Sequence, residues 1–156
     1  MKTPNGYIIP DGVAADVVLF VTGANNAGLK ILLIKRKNEP FRDCWALPGG
    51  FIEPQETIEQ AACREIKEEA NADIQPADLI LVGVYSDPGR DPRGRIISAA
   101  YAVGVPREEV SLAVKAGDDA KEVAWLSLPE VLAGKVKLAF DHRRIINEAA
   151  NRLDIC

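Results

Sequence analysis

At 156 residues the chain is long enough for one domain whose core needs no disulfide or metal staple. Its 27% charged and 47% hydrophobic residues describe an ordinary soluble globular protein rather than a disordered or fibrous one. A net charge of −4 argues against a non-specific nucleic-acid binder, but a small anionic substrate stays compatible because a metal or local arginines can reverse the field of one cleft.

The N-terminus, MKTPNGYIIPDG, lacks the apolar run of a signal peptide and reads as an irregular arm over residues 1–12, punctuated by Pro4, Gly6, Pro10 and Gly12. Ala15–Thr22 and Leu29–Arg36 are β-branched and apolar, and the turn residues GANNAG between them predict a hairpin. Asn38–Asp43 reads as a loop, followed by a short strand over Trp45–Leu47 that ends at Pro48-Gly49-Gly50. Thr57 to Ala70 has the marks of a helix. Thr57 and Gln60 have capping-box spacing, Ile58, Ala62, Ile66 and Ala70 make an apolar stripe, and Asn71 suits a left-handed C-terminal cap.

Further along, Leu79–Tyr85 and Arg95–Val105 are strand candidates separated by the turn-forming run SDPGRDPRG. Lys121–Leu126 predicts another strand, and Ser127-Leu128-Pro129 opens a short helix to Ala133. Asp141 is the expected cap of a last helix that buries Ile145, Ile146, Ala149 and Leu153. Strands mixed with two or three helices predict a sheet covered on both faces, in one domain over 1–156. No apolar run is long enough for a membrane span. Three cysteines (Cys44, Cys63, Cys156) without CxxC pairing read as free thiols of a cytoplasmic protein, and zinc is not expected.

The chemistry is concentrated in Gly50–Asn71, GFIEPQETIEQAACREIKEEAN. Glu65, Glu68 and Glu69 stand at i, i+3 and i+4, so at about 100° per residue they share one helix face. Like charges at that spacing cost a helix a few tenths of a kcal/mol per pair. Concentrating them beside Glu53 and Glu56 therefore points to a cation, and oxygen-only ligands point to Mg²⁺ or Mn²⁺. The plainer alternative is a solvated acidic face paired with neighbouring Lys and Arg.

Gly50, five residues, Glu56, seven residues, then Arg64-Glu65-Ile66-Lys67-Glu68-Glu69 resembles the Nudix box, GX5EX7REUXEEXGU with U apolar. Asn71 stands where that pattern has its second glycine, and Ala72 is a small final apolar residue. The resemblance implies an α/β/α sandwich with a mixed central sheet that binds a divalent metal and hydrolyses nucleoside diphosphates linked to another group. It implies metal-binding roles for Glu65, Glu68, Glu69 and the Gly50 carbonyl, and orienting roles for Arg64 and Glu56. The chemistry needs such residues: a diphosphate bridge repels hydroxide until cations neutralise its oxygens and acidify a bound water.

Pro88 lies 16 residues beyond Ala72, which resembles the marker of ADP-ribose pyrophosphatases within the family, although Asp-Pro-Gly and Asp-Pro-Arg-Gly are also ordinary turn formers. Arg36, Arg42, Arg93 and Arg95 flank predicted strand ends or loops and, with Pro88, are the expected substrate-binding residues. A guanidinium fork suits a diphosphate better than an ammonium does. The resemblance also implies a catalytic carboxylate in the loop before the strand of Trp125. Asp119 is the first choice there, with Asp118 and Glu122 behind it and Glu65 as competitor.

The expected activity is Mg²⁺-dependent conversion of ADP-ribose to AMP and ribose 5-phosphate. Alternatives are another nucleotide substrate (a nucleotide sugar, a diadenosine polyphosphate or an oxidised deoxynucleotide triphosphate) and a non-catalytic ADP-ribose sensor. The intact acids and an end at Cys156 weigh against the sensor. The expected partner is a small nucleotide, with no nucleic acid and no membrane, and a homodimer is open. His142, the sole histidine, reads as a solvent or capping residue, and Trp45 and Trp125 read as core or sheet residues.

Overall fold

Val17–Val21 is apolar at every position rather than at alternate ones, as expected of a strand buried on both faces. It lies in β1 (Gly12–Thr22), which runs parallel to β6 (Ile96–Pro106) along its whole length in a computed structural model describing residues 2–22, 28–106 and 120–155. Val18 and Phe20 pack with Ala100, Ala102 and, from α3 (His142–Arg152), Ile145, Ile146 and Ala149. Ala15, Val17 and Leu19 pack on the other face with Tyr101, Val103 and, from α1 (Ile58–Ala70), Ala61, Ala62 and Ile66. The result is a mixed seven-stranded sheet between helices, the α/β/α arrangement expected.

The functional geometry comes from how β1 is shared. Near the hairpin it pairs antiparallel with β2 (Lys30–Arg36) only at Phe20–Ile31 and Val21–Lys30. Its other end, Ala14–Asp16, pairs with β4 (Gly49–Phe51). Meanwhile β2 continues against β3 (Trp45–Ala46) and, along its far edge, β7 (Ala120–Ser127). So β1 and β2 part company, and the Leu47–Gly50 turn is wedged between them, with the Val17 N–H donating to the Pro48 carbonyl at 2.9 Å. On the other side of β6, β5 (Ile80–Tyr85) forms the end of the sheet, with a bulge between Leu81 and Gly83.

Helix α1 starts and stops for the reasons its sequence suggests. Thr57 and Gln60 form a reciprocal capping box, the Thr57 hydroxyl accepting the Gln60 N–H at 3.2 Å and the Gln60 side chain accepting the Thr57 N–H at 2.8 Å. Asn71 closes the helix at φ 51°, its N–H donating to the Lys67 carbonyl. The fully buried Ile66 anchors α1 on the sheet, and burying such a side chain is worth roughly 1.5–3 kcal/mol.

Several expectations change. Gly49–Phe51 is a strand rather than the end of a turn, because it fills the edge that β2 leaves free on β1. A single 3-10 turn, Pro76–Asp78, precedes β5. Asp141 occupies the N-cap position of α3, but its side chain does not cap; both carboxylate oxygens are bound by Arg90. His142 is not a solvent residue: it is 3% exposed and packed beneath the sheet. Helix α2 (Leu128–Leu132) starts at the Ser127 cap as expected. The hairpin turn at 23–27 and the Asp118-Asp119 pair lie outside the described residues. Among the described residues, Cys44 and Cys63 are free thiols and no helix is long and apolar enough to cross a membrane.

The left-handed conformation of Asn71 gives a direct test of the cap. Asn71→Ala is expected to cost about 1–2 kcal/mol, the strain of a Cβ in that region, whereas Asn71→Gly should match or exceed the parent in urea unfolding.

Candidate functional site

The parting of β1 and β2 leaves a cleft of about 610 Å³. Its acidic side is built by α1 and the glycine turn, with Gly50, Glu53, Arg64, Glu65 and Glu69 among the lining residues. Arg64 is the hub. Its guanidinium takes Glu56 bidentately at 3.0 and 2.6 Å, Glu65 at 2.6 Å and the Phe51 carbonyl at 3.0 Å, and reaches Glu68 at 3.4 Å. Glu56 in turn accepts the Glu53 N–H at 2.7 Å. These bonds, the Glu56 pair first, raise the Arg64 pKa still further, and the same pair lowers that of Glu56. One cation thus offsets part of the repulsion that the i, i+3, i+4 spacing creates.

The remaining acids are held by backbone or left outward. Glu69 is buried, and one of its carboxylate oxygens accepts the Gly49 N–H at 2.7 Å. Glu65 lies so close to Gly50 that any Cβ there would collide with its carboxylate. Burial raises the Glu65 pKa, with the Arg64 bond opposing it. The Glu68 side chain is 57% exposed.

These donors are all oxygens, and the missing Gly50 side chain leaves its backbone open to the Glu65 carboxylate. That set fits a hard divalent cation. Among the described residues no three acidic, histidine or cysteine side chains already converge into a metal cage; the carboxylates are turned onto Arg64 and the Gly49 N–H instead.

The other side of the cleft is basic and aromatic. Arg36, from the end of β2, donates Nε to the Pro40 carbonyl at 2.7 Å and lies 5.0 Å over the Phe140 ring. Burial and then the like charge of Arg93 lower its pKa, against the opposing charges of Asp91 and Glu69. Arg93 lies 5.2 Å from the Phe51 ring and 5.5 Å from that of Phe140. It is aimed by Asp91, which accepts from its Nε at 3.0 Å and Nη2 at 2.7 Å. The loop carrying both is clamped to α3 by the Arg90–Asp141 fork at 2.9 and 2.7 Å and by Arg144–Asp87 at 2.5 Å.

Beneath the glycine turn lies a buried polar group. His142 Nδ1 accepts the Leu47 N–H at 3.0 Å, and Nε2 faces Asp16 Oδ1 at 3.7 Å. Asp16 Oδ2 accepts the Ser98 hydroxyl at 2.5 Å. Burial lowers the His142 pKa in spite of Asp16 and Asp141, so the imidazole is neutral at physiological pH.

Of the expected site residues, Gly50, Arg64, Glu65, Glu69, Arg36 and Arg93 line this cleft, while Glu56 and Glu68 attach to it through Arg64. Three others sit elsewhere. Arg42 is exposed, 3.7 Å from Glu39. Pro88 is exposed in the turn closed by the Arg90 N–H to the Asp87 carbonyl. Arg95 ties its own loop by donating to the Ser86 carbonyl and, from its backbone N–H, to Asp11 at 2.7 Å. Asp119 lies outside the described residues.

Sequence reasoning missed Asp16, Asp91, Phe140 and the burial of His142. An aspartate inside the apolar run AADVVLFV was the one available signal, since a charge buried in a strand needs a purpose or a partner.

Known proteins are similar to this chain in sequence and fold. The family profile described as NUDIX domain matches residues 11–149. The chain is 52% identical over 119 residues to an ADP-ribose pyrophosphatase of Methanocaldococcus jannaschii, covering 76% of this chain and 64% of that protein. It resembles a MutT/nudix family protein from Enterococcus faecalis (TM-score 0.82, 36% identity), covering 99% of this chain and 65% of that one. The chain thus spans just under two thirds of the length of both. It also resembles the NUDIX domain of Shewanella oneidensis NrtR complexed with ADP ribose (TM-score 0.81, 29% identity), covering 97% of this chain and 94% of that one.

The Asp91–Arg93 fork gives a pH-dependent test. Burial would raise the Asp91 pKa, but the bonds from Arg93 outweigh it and hold it below the ordinary value. A depressed folded-state pKa contributes stability that is complete above the unfolded value and is lost as pH falls through the folded one. Asp91→Asn should therefore cost about 1–2 kcal/mol at pH 7, and the gap to the parent should close progressively in acid, read by urea unfolding across pH.

Proposed function

This chain belongs to the Nudix family, and from that premise we propose that it hydrolyses the diphosphate bridge of ADP-ribose to AMP and ribose 5-phosphate with Mg²⁺ or Mn²⁺. The observation that carries the reading is the pairing of opposite charges in one cleft. Acids from α1 form a side suited to cations, and Arg36 and Arg93 with two phenyl rings form a side suited to an anionic nucleotide. The choice of ADP-ribose rests on the similarity to a pyrophosphatase of that name and to an NrtR domain crystallised with ADP ribose.

Glu65, Glu68, Glu69 and the Gly50 carbonyl would hold the metal. When bound, a divalent ion neutralises phosphoryl oxygens and acidifies a water. Arg64 keeps Glu65 and Glu56 from splaying apart while the site is charged. Arg36, half-buried and crowded by the like charge of Arg93, gains most from an anion. It binds the diphosphate oxygens or the terminal ribose, with Arg93 beside it. Phe140 and Phe51 supply apolar faces for the nucleoside. Asp119 takes the proton from the attacking water, with Glu65 as the competing acceptor.

Purified protein with ADP-ribose and Mg²⁺ is expected to yield AMP and ribose 5-phosphate on nucleotide chromatography. Glu69→Gln should lower kcat by about 10² or more, in line with losing a charge made for the transition state. Arg36→Ala should instead raise KM by roughly tenfold. Absence of AMP at high enzyme concentration would reject the reading. Tight binding of ADP-ribose without turnover would favour the sensor alternative, and turnover of another nucleotide in a substrate panel would reassign the specificity. The proton acceptor is separable by pH: loss of the acidic limb of the kcat profile in Asp119→Asn assigns it to Asp119, and its survival excludes Asp119 and leaves Asp118, Glu122 and Glu65.

A further inference from the structure

The Leu47-Pro48-Gly49-Gly50 turn is gripped residue by residue from three different elements. The Leu47 N–H is taken by His142 of α3, the Pro48 carbonyl by Val17 of β1, and the Gly49 N–H by Glu69 of α1, while Gly50 lies against the Glu65 carboxylate. Only the first of these grips comes from a buried side chain on the far face of the sheet. The others belong to the sheet ladder or to the acids themselves.

A nitrogen that accepts a backbone N–H carries no proton, so the hydrogen of the neutral imidazole sits on Nε2, on the side of Asp16. Asp16 is in turn fixed by Ser98. It also abuts Gly49, where an added Cβ would lie 2.5 Å from Asp16 Oδ1. His142 and Asp16 therefore meet the turn at both ends, at Leu47 and at Gly49.

We propose that His142 is a positioning residue for this site, its Nδ1 fixing the Leu47–Gly50 turn so that the Gly49 N–H and the Gly50 backbone are correctly placed toward Glu69 and Glu65. The inference rests on the hydrolase reading of that site, but its structural half can be judged without turnover. His142 lies at the floor of the cleft with its ring centroid 5.2 Å from that of Phe140. Its hydrogen bond is to the Leu47 N–H and not to Glu65, Glu68, Glu69 or Arg64, so it acts on the acids through four residues of backbone. Removing the acceptor leaves a buried N–H without a partner, and the turn relaxes to satisfy it. A displacement of an ångström at a reacting centre costs orders of magnitude in rate.

The test uses three variants. Asn puts its side-chain oxygen close to where Nδ1 lies, Gln carries the acceptor one bond further out, and Leu removes it. His142→Asn is expected to retain kcat within about threefold, whereas His142→Gln and His142→Leu lose at least about tenfold in kcat with KM for ADP-ribose within about twofold. By NMR without metal or substrate, the Leu47 amide should lose exchange protection and the Gly49 and Gly50 signals should shift in the Gln and Leu variants only. Mn²⁺ binding, followed by its paramagnetic broadening, should weaken in the same two.

If the Leu variant does not fold, the Asn and Gln pair still decides the matter. Equal behaviour of Asn and Gln, or wild-type kcat and unshifted glycine signals without the acceptor, would overturn the proposal. A wild-type protein that failed to hydrolyse ADP-ribose would reject the substrate reading instead, leaving the NMR and Mn²⁺ comparisons to judge His142.

Discussion

Five glutamates crowd α1 and the turn before it, and the Arg64 guanidinium offsets part of the repulsion among four of them. Arg64 is bonded to Glu56 on one side and Glu65 on the other, with Glu68 and Glu53 within reach. Such an arrangement does not maximise stability, because one guanidinium is shared among Glu56, Glu65 and Glu68 and Glu65 is partly desolvated. Its physical sense lies in a residual negative field, directed into a cleft and held in shape by Arg64. Sites that store unfavourable charge in this way trade folding free energy for a function.

The sheet provides the space in which that field acts. The long parallel pairing of β1 with β6 makes a rigid centre with both faces buried. The early parting of β1 from β2 then opens a gap between neighbours that would otherwise be bonded. Filling half of the gap with β4 brings the glycine turn beside α1, and leaving the other half open makes the cleft. Glycine matters at two positions here for a steric reason. A side chain at Gly49 would strike Asp16 and the Ala15 backbone, and one at Gly50 would strike Glu65.

The basic side of the cleft is assembled more remotely. Arg36 comes from the end of β2, Arg93 from the loop after β5, and Phe140 from the approach to α3. That loop is held in place by ion pairs at two points on the α3 end, and Arg90–Asp141 is the more buried of them, with side chains 6% and 18% exposed. A buried fork of this kind adds little net stability over apolar packing but fixes geometry, since breaking either half strands the other charge. The turn residues of SDPGRDPRG thus have a structural use in addition to any contact with substrate.

What the chain determined by itself is everything that depends on near neighbours. The start and stop of α1 at Thr57 and Asn71, its apolar stripe, the acids sharing one face and the strands other than β4 were legible, because capping bonds and side-chain periodicity act within a few residues. The family followed from the same local spacing. Tertiary structure alone decided which arginines enter the cleft, that Asp141 serves Arg90 rather than its own helix, and that His142 is buried against a turn 95 positions away in sequence. Those facts depend on which strand lies beside which and how far β1 and β2 stay together. No periodicity within a segment encodes the closure of contacts between segments so far apart.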